Sequence, residues 1–340
     1  KSTKRKKYLN ILYSCIVACI VGGLCSQEVY YFVDDIYPKQ TSNFIISDLG
    51  AKLLLFGTPL LSVIMSVVCR TQMSGITQII HKLDQDLTNK NKVHIITFFI
   101  SVVGIIFVIS CILILFKIVD IVWKLDPFLF FYYESTAHIL ALFVDFQYIS
   151  IMLYVRYLYK SLNNELYAFL DDQRHKDNMH LKELNCEQIY KYKAIYKELQ
   201  EVIEFINGYF TWQTVLEIAS IFVQLVSTSF NTIRHITDHL LNPKEQKSRV
   251  LNTYRLGSLA LWDVFYISNL FAISAAGHLC IREARNTFVV IHKLLLHGML
   301  KPDVSLQLQS FALCYSSYKM KITLRGIFPV DMTLFVMVTG

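Results

Sequence analysis

The stretch HIITFFISVVGIIFVISCILILFKIVDIVW, residues 94–123, decides the fold. Its two charges, Lys117 and Asp120, both fall in the last third, so more than twenty residues run without one. A helix of about 20 residues, rising 1.5 Å per residue, crosses the roughly 30 Å hydrocarbon core of a bilayer. Inside that core each backbone N–H and C=O must bond within its own segment, so an apolar run of this length is a helix.

Comparable runs flank it at 45–69 and 128–158, and others follow at 9–32, 210–233 and 256–280. A seventh begins near Thr333 and stops at Gly340. The reading is an all-α polytopic membrane protein of seven transmembrane helices, the last one truncated. Composition agrees: 54% of residues are hydrophobic, against about 45–50% in soluble domains, and the mean hydropathy is +0.41. The opening KSTKRKK precedes an apolar run too long for the core of a signal peptide, and is read as the flank of an uncleaved first span.

Lys and Arg set the orientation, because cytoplasmic loops retain positive charge during insertion. With the N-terminus inside, residues 1–7, 70–93, 156–197 and 282–325 hold 24 of the 33 basic residues, and the outside loops hold six. The reverse orientation inverts that fourfold bias. A cytoplasmic N-terminus argues against a G-protein-coupled receptor, and no DRY or NPxxY motif marks the third or last span.

Two helices are too long for the bilayer. The pattern from about Pro127 to Leu170 measures roughly 65 Å, and EQIYKYKAIYKELQEVIEF, residues 187–205, places Lys and Glu opposite Tyr, Ile and Leu at helical spacing. The division that follows is a cytoplasmic segment 1–8, a bundle of six helices over 9–303 with cytoplasmic extensions near 155–208 and 280–303, an amphipathic anchor helix in 304–325, and the start of the seventh helix at 326–340. Residues 171–185, rich in charge, read as a flexible loop.

The net charge of +7 belongs to these loops, which face anionic lipid. No aromatic-interleaved basic stripe or zinc-finger spacing points to nucleic acid. The eight cysteines stand alone, without CxxC spacing. No HExxH, GxSxG, P-loop or GxGxxG is present, so the chain does not read as an enzyme, and no cofactor or metal is implied. His235 and His239, four apart around Asp238, read as part of a solvated loop.

Polar side chains inside spans are costly in lipid, so they face a bundle interior or a water-filled cavity. Asp120 and Trp123 lie three apart near the end of the third span. The fifth carries Gln224, Ser227, Thr228 and Asn231 along one side. The sixth answers with Tyr254, Arg255, Ser258 and Trp262, and the fourth begins with Tyr132, Tyr133 and Glu134, with His138 one turn further. Carboxylate, amides, hydroxyls and aromatic faces are what a carbohydrate requires, since a sugar offers hydroxyls to bond and C–H faces to stack on. The candidate sugar-binding set is Asp120, Trp123, Tyr133, Gln224, Thr228, Asn231, Tyr254, Ser258 and Trp262. Competing readings stand beside it. Trp123, Tyr132 and Tyr133 also suit interface anchors, Ser and Thr of the fifth span also suit helix bridging, and Asp120 also suits an ion pair with Arg255 or Lys117.

The closing stretch RGIFPVDMTLFVMVTG, residues 325–340, preceded by the amphipathic segment 304–322, resembles an insect gustatory receptor, most closely the fructose-sensing clade. In that family a cytoplasmic helix leads through a short turn into the final span. The resemblance implies a sugar-gated, nonselective cation channel in the plasma membrane. It would be a homotetramer with a pore lined by the seventh helices, with sugar bound in the outer half of each subunit and no G protein required. The family's Thr-Tyr, five hydrophobic residues and Gln-Phe are expected just after Gly340, so no residue here is assigned to the gate. A secondary transporter for a small polar solute is the alternative, although internal repeats are absent and only Pro59 lies well inside a span. An odorant-gated channel is the nearer one.

Overall fold

The computed structural model describes residues 42–87, 128–174, 185–241, 246–296, 301–317, 330 and 332–339, together with six positions between residues 16 and 30. The span at 94–123 and most of that at 9–32 lie outside the described residues. Every element described in full is helical: α1 (Ser42–Val68), α2 (Arg70–Leu87), α3 (Phe128–Arg174), α4 (Cys186–Leu241), α5 (Gln246–Leu296), α6 (Pro302–Ser317) and α7 (Met332–Thr339).

The long helices are continuous. At 47, 56 and 51 residues, α3, α4 and α5 measure about 70, 84 and 76 Å. Each contains a stretch long and apolar enough to cross a membrane, His138–Leu170, Cys186–Phe230 and Leu259–Leu296 respectively. Helix α1 carries Pro59 in its interior, where the missing N–H removes one ladder bond. One face of α4 buries Ile218 and Ile221, while Phe222, Val226 and Phe230 stand exposed at four-residue spacing. An apolar stripe of that size facing outward is unfavourable in water and suited to lipid.

Two departures from the sequence reading come from helices that run on. Asp171 to Arg174 still belong to α3, since isolated acidic residues do not stop a helix already nucleated by forty residues. Residues 235–239, expected in a loop, are helical within α4, which ends at Leu241 just before Pro243. The side chains of His235 and His239 lie outside the described residues.

Local signals fix the starts. Asn185 and Gln188 form a reciprocal cap at the head of α4. The Gln188 N–H donates to Asn185 Oδ1 at 2.8 Å and the Asn185 N–H to Gln188 Oε1 at 3.2 Å. Pro302 opens α6, where its missing N–H is not needed, and Asp303 follows in the first turn.

Cross-links give the register. His138 meets Tyr266, Asp145 meets Asn269 and Asn163 meets Glu283, so α3 and α5 run parallel. Thr228 meets Asp263, and Glu217 sits beside Asp145, so α4 runs against both. From about Tyr159 onward, α3 and the first half of α4 gather α2 and α6 into a dense bundle. Tyr196 lies edge-on between Tyr159 and Phe311, with ring centroids 5.7 and 5.6 Å away. Leu83, Leu162, Leu199 and Leu308 belong to the same buried cluster. On the rim Lys82 bonds Glu198 at 2.8 Å and Lys193 donates to Ser310 at 2.8 Å.

Candidate ligand site

Near the beginnings of α3 and α5, and toward the end of α4, the helices bring one aromatic layer and one polar pair together. His138 of α3 is buried, with its ring 4.9 Å from that of Trp262 and 5.9 Å from that of Tyr266, both on α5. The Tyr266 hydroxyl and His138 Nε2 are 3.4 Å apart. Trp262 and Tyr266, one turn apart, stack at 5.7 Å, and Phe265 meets Trp262 edge-on at 5.6 Å. Ring pairs at such separations favour offset or edge geometry, so the layer is well formed. Trp262 is half-buried.

Beside this layer, Thr228 of α4 reaches Asp263 of α5. The Thr228 hydroxyl is within bonding range of the Gln224 carbonyl at 2.8 Å, the Leu225 carbonyl at 3.1 Å and the Asp263 carboxylate. One hydroxyl hydrogen serves one acceptor at a time, so the carboxylate retains acceptor capacity for another donor. Asp263 is half-buried. A carboxylate, a hydroxyl, an imidazole and an aromatic wall thus meet at the α3–α4–α5 junction.

Of the nine residues that the sequence singled out, Thr228 and Trp262 are brought to this junction, and Gln224 sits one turn along α4 from Thr228. Tyr133, Asn231, Tyr254 and Ser258 lie in helices α3, α4 and α5, with side chains outside the described residues. Asp120 and Trp123 are outside them altogether. His138 was visible from the sequence but not grouped with the set, and Asp263 and Tyr266 were missed. The signal for Asp263 was a carboxylate within an apolar span. For Tyr266 it was the four-residue spacing from Trp262.

The family model described as 7tm Chemosensory receptor matches residues 1–340. The chain belongs to this family. It is a chemosensory receptor and a multi-pass membrane protein, and the family is one of receptors rather than enzymes. Among solved structures, the chain is similar to the insect olfactory receptor OR5 from Machilis hrabei, with a TM-score of 0.61 and 10% identity, over 95% of this chain and 85% of that one. At that identity the likeness is one of fold. No curated protein matches the chain in sequence.

Proposed function

We propose that this receptor is a subunit of a ligand-gated cation channel and that its agonist is a small polyhydroxylated molecule, with fructose the first candidate. The observation that carries the reading is the aromatic layer of His138, Trp262 and Tyr266 set beside the Thr228–Asp263 pair. An aromatic plane takes the C–H face of a sugar ring, and a carboxylate accepts from neighbouring hydroxyls. Gln224, together with Asp120, Trp123, Tyr133, Asn231, Tyr254 and Ser258, extends the proposed site. In this reading the N-terminus is cytoplasmic, as the distribution of Lys and Arg supports. The junction then lies in the outer half of the membrane, and the bundle around Tyr196 lies in the cytoplasm. Segment 304–325 belongs to the anchor, and four copies surround a pore lined by the helix that begins at Met332.

An agonist opens such a channel only through a higher affinity for the open state. A tenfold preference at each of four sites supplies about 5.5 kcal/mol, enough to carry the equilibrium from mostly shut to mostly open. Whole-cell current from the full-length receptor, challenged with fructose, glucose, sucrose and a volatile odorant, tests the reading. Expected is an inward cation current to the sugar, lost in Trp262→Ala with surface expression intact. Accumulation of labelled sugar without current would replace the channel with a transporter, and current to the odorant alone would replace the agonist class.

A further inference from the structure

Two turns along α3 from His138, about 10 Å further into the bundle, a second polar layer crosses the molecule. Asp145 of α3 is 4% exposed and Glu217 of α4 is 5% exposed. The two carboxylates lie near enough for each to feel the other's charge. Among the described residues, the bonded neighbours on the other helices are neutral groups. Asn269 of α5 donates Nδ2 to Asp145 Oδ2 at 2.6 Å, and Thr58 of α1, whose hydroxyl donates to the Leu54 carbonyl at 3.4 Å, lies near Glu217. On α3 the next titratable group is Tyr148, buried beside Cys280. Among the described residues, no Lys, Arg or His bonds either carboxylate.

Two acceptor oxygens in this layer remain unmet. Glu217 Oε2 has no hydrogen-bond partner, and neither has Oε1 of Gln213, which is fully buried one turn along the same face of α4 and whose Nε2 is unmet as well. A buried acceptor left unbonded costs about 1–3 kcal/mol. Two like charges held together away from water cost far more unless something positive joins them. Carboxylate, carboxylate and amide oxygen, all acceptors and all desolvated, form the donor set of a hard cation rather than of an anion or an apolar ligand.

We propose that Asp145, Glu217 and Gln213 form a cation site that takes up one positive charge, as a proton or as a dehydrated sodium ion, and thereby holds α1, α3, α4 and α5 together. With the charge bound, the two carboxylates attract a common partner and the four helices close on it. With it absent, they repel across the α3–α4 contact. The site lies apart from the aromatic layer and does not depend on which agonist that layer takes.

The test is the melting temperature of the purified full-length receptor, without agonist, in two series. One varies pH with N-methylglucamine as the sole cation. The other raises sodium at fixed pH, with N-methylglucamine chloride holding the ionic strength constant. A ligand bound by the folded state alone stabilises in proportion to the logarithm of its excess over Kd. Expected is therefore a rise of several degrees as pH falls, which identifies the proton, or over about a hundredfold rise in sodium, which identifies the ion. Either dependence should vanish in Glu217→Gln and in Asp145→Asn. Glu217→Gln retains the shape and hydrogen-bonding reach of the side chain, so it reports even where Asp145→Asn fails to fold. A wild-type receptor indifferent to both series, or a dependence that survives in Glu217→Gln, overturns the proposal. Neither series uses a sugar, so neither result bears on the agonist reading.

Discussion

Gly277 of α5 lies against the carbonyl oxygen of Val330 so closely that a Cβ at this position would collide with it. The obstacle is backbone, which cannot swing aside as a side chain does. Val330 is itself fully buried, and Phe335, a turn into α7, meets Phe271 of α5 edge-on at 5.4 Å. The chain entering α7 is therefore seated on α5 at a point that only glycine permits.

Gly277→Ala is expected to push Val330 off α5 and to lower stability by about 1–3 kcal/mol, the usual range for overpacking. Gly257, whose surroundings are open, serves as the control, because a Cβ there meets nothing within 4 Å. Fluorescence-detected size-exclusion after heating ranks the two. A Gly277→Ala variant as heat-resistant as Gly257→Ala would mean that Val330 does not pack there.

Tyr196 anchors the opposite end. It is fully buried between Tyr159 and Phe311, from different helices, so Tyr196→Ala empties a ring-sized space and should destabilise the protein by about 3–5 kcal/mol. Tyr190, two turns before it on α4 and 70% exposed, gives the contrast. Its alanine variant should leave the monomer's melting unchanged. Equal losses in the two variants would show that the bundle is not packed around Tyr196.

Two polar contacts near this end differ in weight for a physical reason. Asn163 is 1% exposed, and its amide donates to both the Glu283 carbonyl and the Glu283 carboxylate, each at 3.0 Å. Asn163→Leu removes a buried amide's bonds to the half-buried Glu283 and should lower stability by about 1–3 kcal/mol. Lys82 and Glu198 bond at 2.8 Å but face water, where salt screens them. The Glu198 carboxylate raises the Lys82 pKa above its ordinary 10.5. The stability it lends is thus complete at neutral pH and is lost only as pH rises through that raised value. Because water and salt screen the pair, Lys82→Met should lower the melting temperature near neutrality by much less than Asn163→Leu, and a comparable drop would overturn this ranking.

Much of this architecture is legible in the residues. The charge-free runs place the helices, because lipid admits no other backbone solution. Thr228 and Trp262 stand out as a hydroxyl and an indole on otherwise apolar faces. What the residues do not display is register between helices. Thr228 meets Asp263 across 35 positions and Asp145 meets Asn269 across 124. No periodicity within one helix fixes how far its neighbour is shifted along it. Asp263 and the Asp145–Glu217 layer were each visible as charges inside apolar runs, yet only packing reveals which partner each one has. Helix ends were misread for a related reason. Near His235 and His239 the polar composition resembles a loop, but Pro243, not polarity, stops the helix.

The Thr228–Asp263 contact offers the sharpest test of the proposed agonist site, because there the two side chains would act on a ligand partly through one another. Thr228→Val preserves volume and removes the hydroxyl, and Asp263→Asn preserves shape and removes the charge. Each alone should shift the agonist dose–response to higher concentration by about tenfold, the equivalent of roughly 1.4 kcal/mol, a usual worth for a hydrogen bond to a charged group. In the proposed site Thr228 orients the carboxylate that would receive the ligand, so the double variant should be shifted by less than the product of the two single effects, as expected for groups in direct contact. Whole-cell dose–response curves for the four receptors, normalised to surface expression, measure that coupling. Strictly multiplicative shifts would mean that the two residues meet the ligand independently, and unshifted curves in all three variants would move the agonist away from this junction.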